Sequence, residues 1–237
     1  MAESAEGRSA VRHPLAQQSQ SSGRCQADKR RIPAHGGACR FSMTWRSLPS
    51  KGKTVDQKLK AFLRGRTQLA EERLDWSSGG REFVQTRTTY ALTPSDSPPL
   101  SLVTSVRAIL MRGPQVMVMR DPDGEHVVPG GRLDEGEGLL EALRRELLEE
   151  TGWSVLGEPE LIGLFHFHIH TPKPAGHRYP YPEFLQMLYR AEAEDYFPEA
   201  MEVDGFEVGA EFRAISEVRR LTLSQGEAAL LQVLLET

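Results

Sequence analysis

Residues 131–153 read GRLDEGEGLLEALRRELLEETGW, and this stretch decides how the chain folds. Leu139 to Thr151 contains no Gly or Pro and is rich in Leu, Glu, Arg and Ala, all strong helix formers. Gly152 follows as a natural helix stop, and Pro129-Gly130-Gly131 interrupts regular structure ahead of the helix. Asp134, Glu135 and Glu137 suit the positive end of the helix dipole. On a helix, Glu146 lies three residues from Glu149 and four from Glu150, so the three carboxylates share one face. Leu140, Leu143 and Leu147 form the neighbouring apolar stripe that can pack on a core. Ala142 leaves room beside the carboxylate face, and Arg145, one turn before Glu149, is placed to orient it.

Three carboxylates this close repel one another, so either some take up protons or a cation sits among them. A hard cation such as magnesium takes oxygen ligands, keeps several waters and binds through a few carboxylates plus substrate phosphates. Taken alone, the three glutamates read more readily as a solvated acidic helix face.

Their setting changes that. The segment resembles the Nudix box of the MutT-like pyrophosphohydrolases, G-x5-E-x7-R-E-U-x-E-E-x-G-U with U a bulky apolar residue. Gly131, Glu137, Arg145, Glu146, Leu147, Glu149, Glu150, Gly152 and Trp153 fill every fixed position, with Trp153 larger than the usual aliphatic. The resemblance implies an α/β fold, an α/β/α sandwich around a mixed sheet. It implies cleavage of a pyrophosphate bond in a nucleoside diphosphate linked to another moiety. It implies Glu146, Glu149 and Glu150 as ligands of magnesium, with manganese as a substitute. Glu149, Glu150 and Arg145 are then the catalytic group, Arg145 holding a box glutamate while Glu137 supports the loop. The general base varies in such enzymes. A box glutamate or one from a later loop serves, and Glu207 and Glu211 are the later candidates here, with simple solvation as the alternative.

The surrounding pattern suits this architecture. Leu102 to Met111 and Val116 to Met119 read as strands around an Arg112-Gly113-Pro114-Gln115 turn. Leu161 to Ile169, Glu183 to Ala193 and Phe206 to Ile215 read as further strands. Ser224 to Glu236 reads as a closing helix, capped by Ser224 with Glu227 three residues on. The chain divides into a basic tail over 1–42, an extension over 43–99 and a catalytic domain over 100–237. In the extension, Thr54 and Gln57 suggest a capping box for a helix running to about Leu74, followed by a β-rich stretch from Arg81 to Leu92. The extension either docks on the catalytic domain or makes a homodimer contact.

With 237 residues, 39% apolar, 26% charged and a net charge of −4, the composition is that of a soluble enzyme. No apolar run reaches a membrane-spanning length, and no signal peptide opens the chain, which points to a cytoplasmic enzyme. The tail carries seven Lys/Arg against three Asp/Glu, leaving −8 for the remainder. Its composition predicts disorder, and Cys25 and Cys39 within it imply neither a structural disulfide nor zinc. A start at Met43 is the sharper reading of that tail. No nucleic-acid-binding motif is present, so the expected partner is a small nucleoside diphosphate derivative.

Phe165-His166-Phe167-His168-Ile169-His170 alternates, which on a strand sends the three histidines to one side. They bind zinc, line a substrate pocket, or merely occupy the polar face of a half-buried strand. The next loop holds His177, Arg178, Tyr179 and Tyr181, where Arg suits a phosphate and Tyr a base, or else a plain exposed loop. His166, His168, Arg178 and Tyr179 are the substrate-binding candidates. Subfamilies cutting ADP-ribose or dinucleoside polyphosphates carry a marker Pro or Tyr past the box. That window here holds His168 to Thr171, so neither label applies. Two other readings stay open: a nucleotide-sensing module without turnover, and a zinc-binding module built on the histidine strand.

Overall fold

The computed structural model describes residues 52–78, 81–122, 124–202 and 209–236. The tail over 1–42 with Cys25 and Cys39, the Met43 start, the Thr54 side chain and Glu207 lie outside the described residues. No helix among the described residues is long and apolar enough to cross a membrane.

Alternating side chains build one mixed sheet. In order along the chain, its strands are β1 (Gln68–Ser78), β2 (Arg81–Ala91), β3 (Val103–Arg112), β4 (Gln115–Asp121), β5 (Gly124–His126), β6 (Trp153–Ile169), β7 (Glu183–Tyr196) and β8 (Gly209–Ala214). Across the sheet they run β1-β2-β6-β7-β3-β4-β5, with β8 on β4. β3 and β7 pair in parallel and the other pairs are antiparallel. The helices are α1 (Gly52–Leu63), α2 (Leu139–Thr151), the single turn α3 (Ile215–Val218) and α4 (Gln225–Glu236).

Period-two alternation separates two cores. Val106, Ala108 and Leu110 of β3, Leu164 of β6 and Met187 of β7 cluster with Ala142, Leu143 and Leu147 of α2. The intervening Ile109, Phe165, Phe167 and Leu188 cluster with Leu230 and Leu231 of α4. The sheet is therefore sandwiched between α2 and α4, the α/β/α arrangement expected. Phe165 is 1% exposed, with the Phe167 ring at 6.3 Å and the Arg87 guanidinium 4.6 Å above it. Phe165→Ala is expected to cost about 3–5 kcal/mol, read from the urea midpoint at unchanged slope.

Local signals set most ends. Gly152 stops α2 in the left-handed region at φ 73°, with its amide on the Leu148 carbonyl. Ser224 and Glu227 cap α4 reciprocally, Glu227 N to Ser224 Oγ at 3.3 Å and Ser224 N to Glu227 Oε2 at 3.2 Å. Trp153, the bulky last position of the box, packs 5.0 Å from Tyr196 and edge-on to Phe212 at 5.3 Å.

The helix expected to reach Leu74 is corrected: α1 ends at Leu63, and β1 begins at Gln68. Gly65 is a poor helix former, and ten register partners on β2, with one irregularity between Gln68 and Ala70, offer residues 68–78 a ladder instead. The resulting hairpin joins the main sheet through Gln85↔Ile169 to Ala91↔Gly163. Glu72 of β1 ties it to the last helix, accepting from Arg87 at 2.9 Å and from the Gly226 amide at 3.1 Å.

Candidate functional site

Lead-in loop and helix meet over β3. Residues 129–133 run beside that strand, with Ala108 N on the Pro129 carbonyl at 3.0 Å and Val106 N on that of Gly131 at 2.9 Å. The two glycines permit this. A Cβ at Gly130 would overlap the Val106 carbonyl oxygen, and its φ of 131° suits glycine. A Cβ at Gly131 would overlap the Glu146 carboxylate. The backbone thus passes directly under a carboxylate of α2.

Arg145 organises the rest. Its guanidinium donates Nε to Glu137 Oε1 at 2.8 Å, and Nη2 to Glu137 Oε2 and the Arg132 carbonyl, both at 2.9 Å. Its Nη1 reaches Glu146 Oε1 at 2.9 Å and Glu149 Oε2 at 3.0 Å. The planar fork matches such an array in a way a lysine cannot. Glu137 in turn accepts the Asp134 amide at 2.9 Å, closing the loop on the helix. Glu150 accepts the Gly130 amide at 2.6 Å. Glu137, Arg145, Glu146, Glu149 and Glu150 are therefore brought into one bonded group with the Gly130-Gly131 turn.

Its electrostatics are strained in one place. Burial pushes the Glu146 carboxyl above its ordinary range; Arg145 pulls it back, and the charge of Glu149 adds to the rise. Arg145 holds Glu137 below the usual carboxylate range, against a smaller opposing effect of burial. Among the described residues no three His, Cys, Asp or Glu side chains converge at ligand distance. The donor set nevertheless fits a hard cation: it is all oxygen, and a carboxylate offers about four lone-pair sites. Arg145 uses one oxygen each of Glu146 and Glu149.

The histidine strand carries a second polar group. Phe165 and Phe167 are buried on the α4 side, so His166 and His168 project to the α2 side. There both meet Glu183, the first residue of β7, His166 Nε2 at 2.5 Å and His168 Nδ1 at 2.6 Å. His170 Nε2 lies 2.7 Å from Thr86 Oγ1. Burial works to raise the Glu183 carboxyl, but the hydrogen bonds and charge of the two histidines outweigh it and hold the group low. The loop after β6 folds back on the box. The Tyr179 hydroxyl accepts from Arg132 Nη1 at 2.7 Å, and the Arg132 guanidinium lies 4.6 Å above the Tyr179 ring. Arg178 is exposed in the same loop. Glu211 sits on β8 opposite Val118, held by Arg213 at 2.6 Å and Arg120 at 3.5 Å.

Sequence reasoning missed Glu183 and Arg132. The position of Glu183 opposite His168 depends on strand register, and only the polar start of an otherwise apolar strand marked it. Arg132 stands at a variable position of the box, where the pattern constrains nothing.

Comparison with known proteins identifies the domain. The sequence profile of the NUDIX domain matches residues 102–234. No curated protein matches the chain. Solved structures similar to it include a NUDIX hydrolase from Nitrosomonas europaea, 25% identical, with a TM-score of 0.40 over 56% of this chain and 85% of the other. A MutT NUDIX hydrolase from Burkholderia pseudomallei is 20% identical, with a TM-score of 0.41 over 55% of this chain and 96% of the other. A UDP-X diphosphatase is 17% identical, with a TM-score of 0.39 over 60% of this chain and 66% of the other. With a complete box and a domain match over more than half its length, the chain belongs to the Nudix family of hydrolases acting on phosphoric anhydrides.

Proposed function

We propose that this chain is a metal-dependent hydrolase. It cleaves the pyrophosphate bond of a nucleoside diphosphate linked to another moiety, a nucleotide or nucleotide-sugar type of substrate. Glu146, Glu149 and Glu150 would hold magnesium, with manganese as a substitute. When bound, the cation supplies charge neutralisation at the phosphoryl oxygens.

The observation that carries this reading is the Arg145 fork, which binds Glu137, Glu146 and Glu149 at once. An arginine in contact with three carboxylates fixes their positions relative to one another, which a solvated face does not need. Gly131 adds a backbone approach that leaves the Glu146 carboxylate space where a side chain would stand. The family's activity supplies the bond cleaved. Glu150 and Glu207 are the candidates for accepting the proton of the attacking water; Glu211, paired with Val118 of the α4-side core and bound by Arg213 and Arg120, projects to the face of the sheet away from the box helix.

The test is product analysis on a panel of nucleoside triphosphates, dinucleoside polyphosphates and nucleoside diphosphate sugars, with added magnesium or with chelator. The expected result is a mononucleotide released from a nucleoside diphosphate derivative only when the cation is present. Tight binding without turnover across the panel would favour the nucleotide-sensing reading. Turnover that survives chelation would remove the metal role.

A further inference from the structure

Glu183 binds two histidines on the face of the sheet that carries the box helix, and neither bond is needed to build the box. Holding Glu183 low keeps it ionised, and an ionised carboxylate only accepts hydrogen bonds. The nitrogens facing it must therefore donate: His166 through Nε2–H and His168 through Nδ1–H. In the neutral ring this leaves a lone pair on Nε2 of His168, so Glu183 fixes which tautomer is presented. The His168 side chain is 42% exposed and that of His166 only 15%, so His168 is the one a ligand meets.

The position follows from the strand order. The lead-in loop lies against β3, β3 against β7, and β7 against β6. Three strand spacings put the histidine about 14 Å across the face, and its four-residue offset along β6 from Leu164, which stands level with Val106 through Met187, adds about 13 Å along the strands, so that it lies about 19 Å from the loop under Glu146. That separation reaches past a diphosphate held at the box glutamates. The loop over 170–182 spans the same gap, leaving the end of β6, touching Arg132 through Tyr179 and returning at Glu183. The box, the loop and the histidine thus border one stretch of the sheet face.

We propose that His168, set by Glu183, is a specificity-determining residue for the moiety beyond the diphosphate: its Nε2 accepts a hydrogen bond from a sugar hydroxyl of that moiety. A lone pair beside the Glu183 anion disfavours a phosphate or carboxylate at this position and suits a neutral donor. A sugar is the hydroxyl-rich group that a nucleoside diphosphate derivative carries there. This inference rests on the hydrolase reading above and deepens it.

The experiment compares kcat/KM for a nucleoside diphosphate hexose and for the methyl ester of the same nucleoside diphosphate, which lacks the hydroxyls. His168→Ala is expected to lower the hexose-to-methyl ratio about tenfold. Glu183→Gln is expected to do the same, because its amide can donate to Nδ1 and turn the ring to the tautomer with hydrogen on Nε2. His168→Gln, which returns an acceptor oxygen near the Nε2 position, should recover part of the ratio. A ratio unchanged in both His168→Ala and Glu183→Gln, or an equal loss on both substrates, would overturn the assignment. If wild type cleaves neither substrate, the hydrolase reading is decided separately by turnover on the wider panel. Calorimetric binding of the same two ligands then reads the ratio by itself, and a wild-type preference for the hexose that His168→Ala abolishes would sustain the assignment.

Discussion

Glu149→Gln and Glu150→Gln are each expected to lower kcat/KM on the order of 10³-fold while leaving the folded protein as stable as wild type. Each substitution keeps the side chain's length and shape and removes one negative charge. The Glu150 position keeps a carbonyl oxygen for the Gly130 amide, and the Glu149 position keeps one for Arg145. Folding therefore loses little, within about 0.5 kcal/mol, as for other part-exposed substitutions outside a core. The site loses charge from a carboxylate group in which burial, with a smaller contribution from the charge of Glu149, raises Glu146. A thousandfold loss corresponds to about 4 kcal/mol of transition-state stabilisation. Steady-state kinetics beside thermal denaturation reads both quantities. A tenfold or smaller loss at both positions would remove these glutamates from the metal-binding role, and an equal fall in melting temperature would make them structural.

Legibility in the sequence followed the range of the interactions. The box helix depended on residues within one turn of one another, so its span, its Gly152 stop and its shared glutamate face were all readable. The alternation of Phe165 to His170 likewise gave the two sides of β6 correctly, because pleating is local. Register is not local. Glu183 stands opposite His168 only once β7 has been aligned on β6, and that alignment includes three irregularities. The same limit explains α1. Propensity carried a helix through residues 68–74, and pairing with β2 took them into a strand. Arg132 became visible only when the loop after β6 brought Tyr179 onto it.

The adjacent glycines of the box lead-in should separate function from folding. At Gly131 an added methyl would overlap the Glu146 carboxylate, the free end of a flexible side chain. That end can swing aside, so Gly131→Ala should fold with a stability change under about 1 kcal/mol. The displaced carboxylate, however, leaves the position that Arg145 gives it at 2.9 Å. Misplacing a site group by about an ångström costs about 10²-fold in rate, and a loss of that size is expected here. At Gly130 the added methyl would meet the Val106 carbonyl oxygen and the Arg107 Cα, both backbone atoms of β3, at a φ of 131° that side-chain-bearing residues avoid. Nothing there can turn out of the way, so Gly130→Ala should cost about 1–3 kcal/mol of stability from the backbone alone. Urea denaturation and kcat/KM on the same preparations test the contrast. If Gly131→Ala retained full activity, the close approach of the loop to Glu146 would have no part in the chemistry. If it unfolded as readily as Gly130→Ala, the Glu146 carboxylate would be fixed more rigidly than its one arginine partner implies.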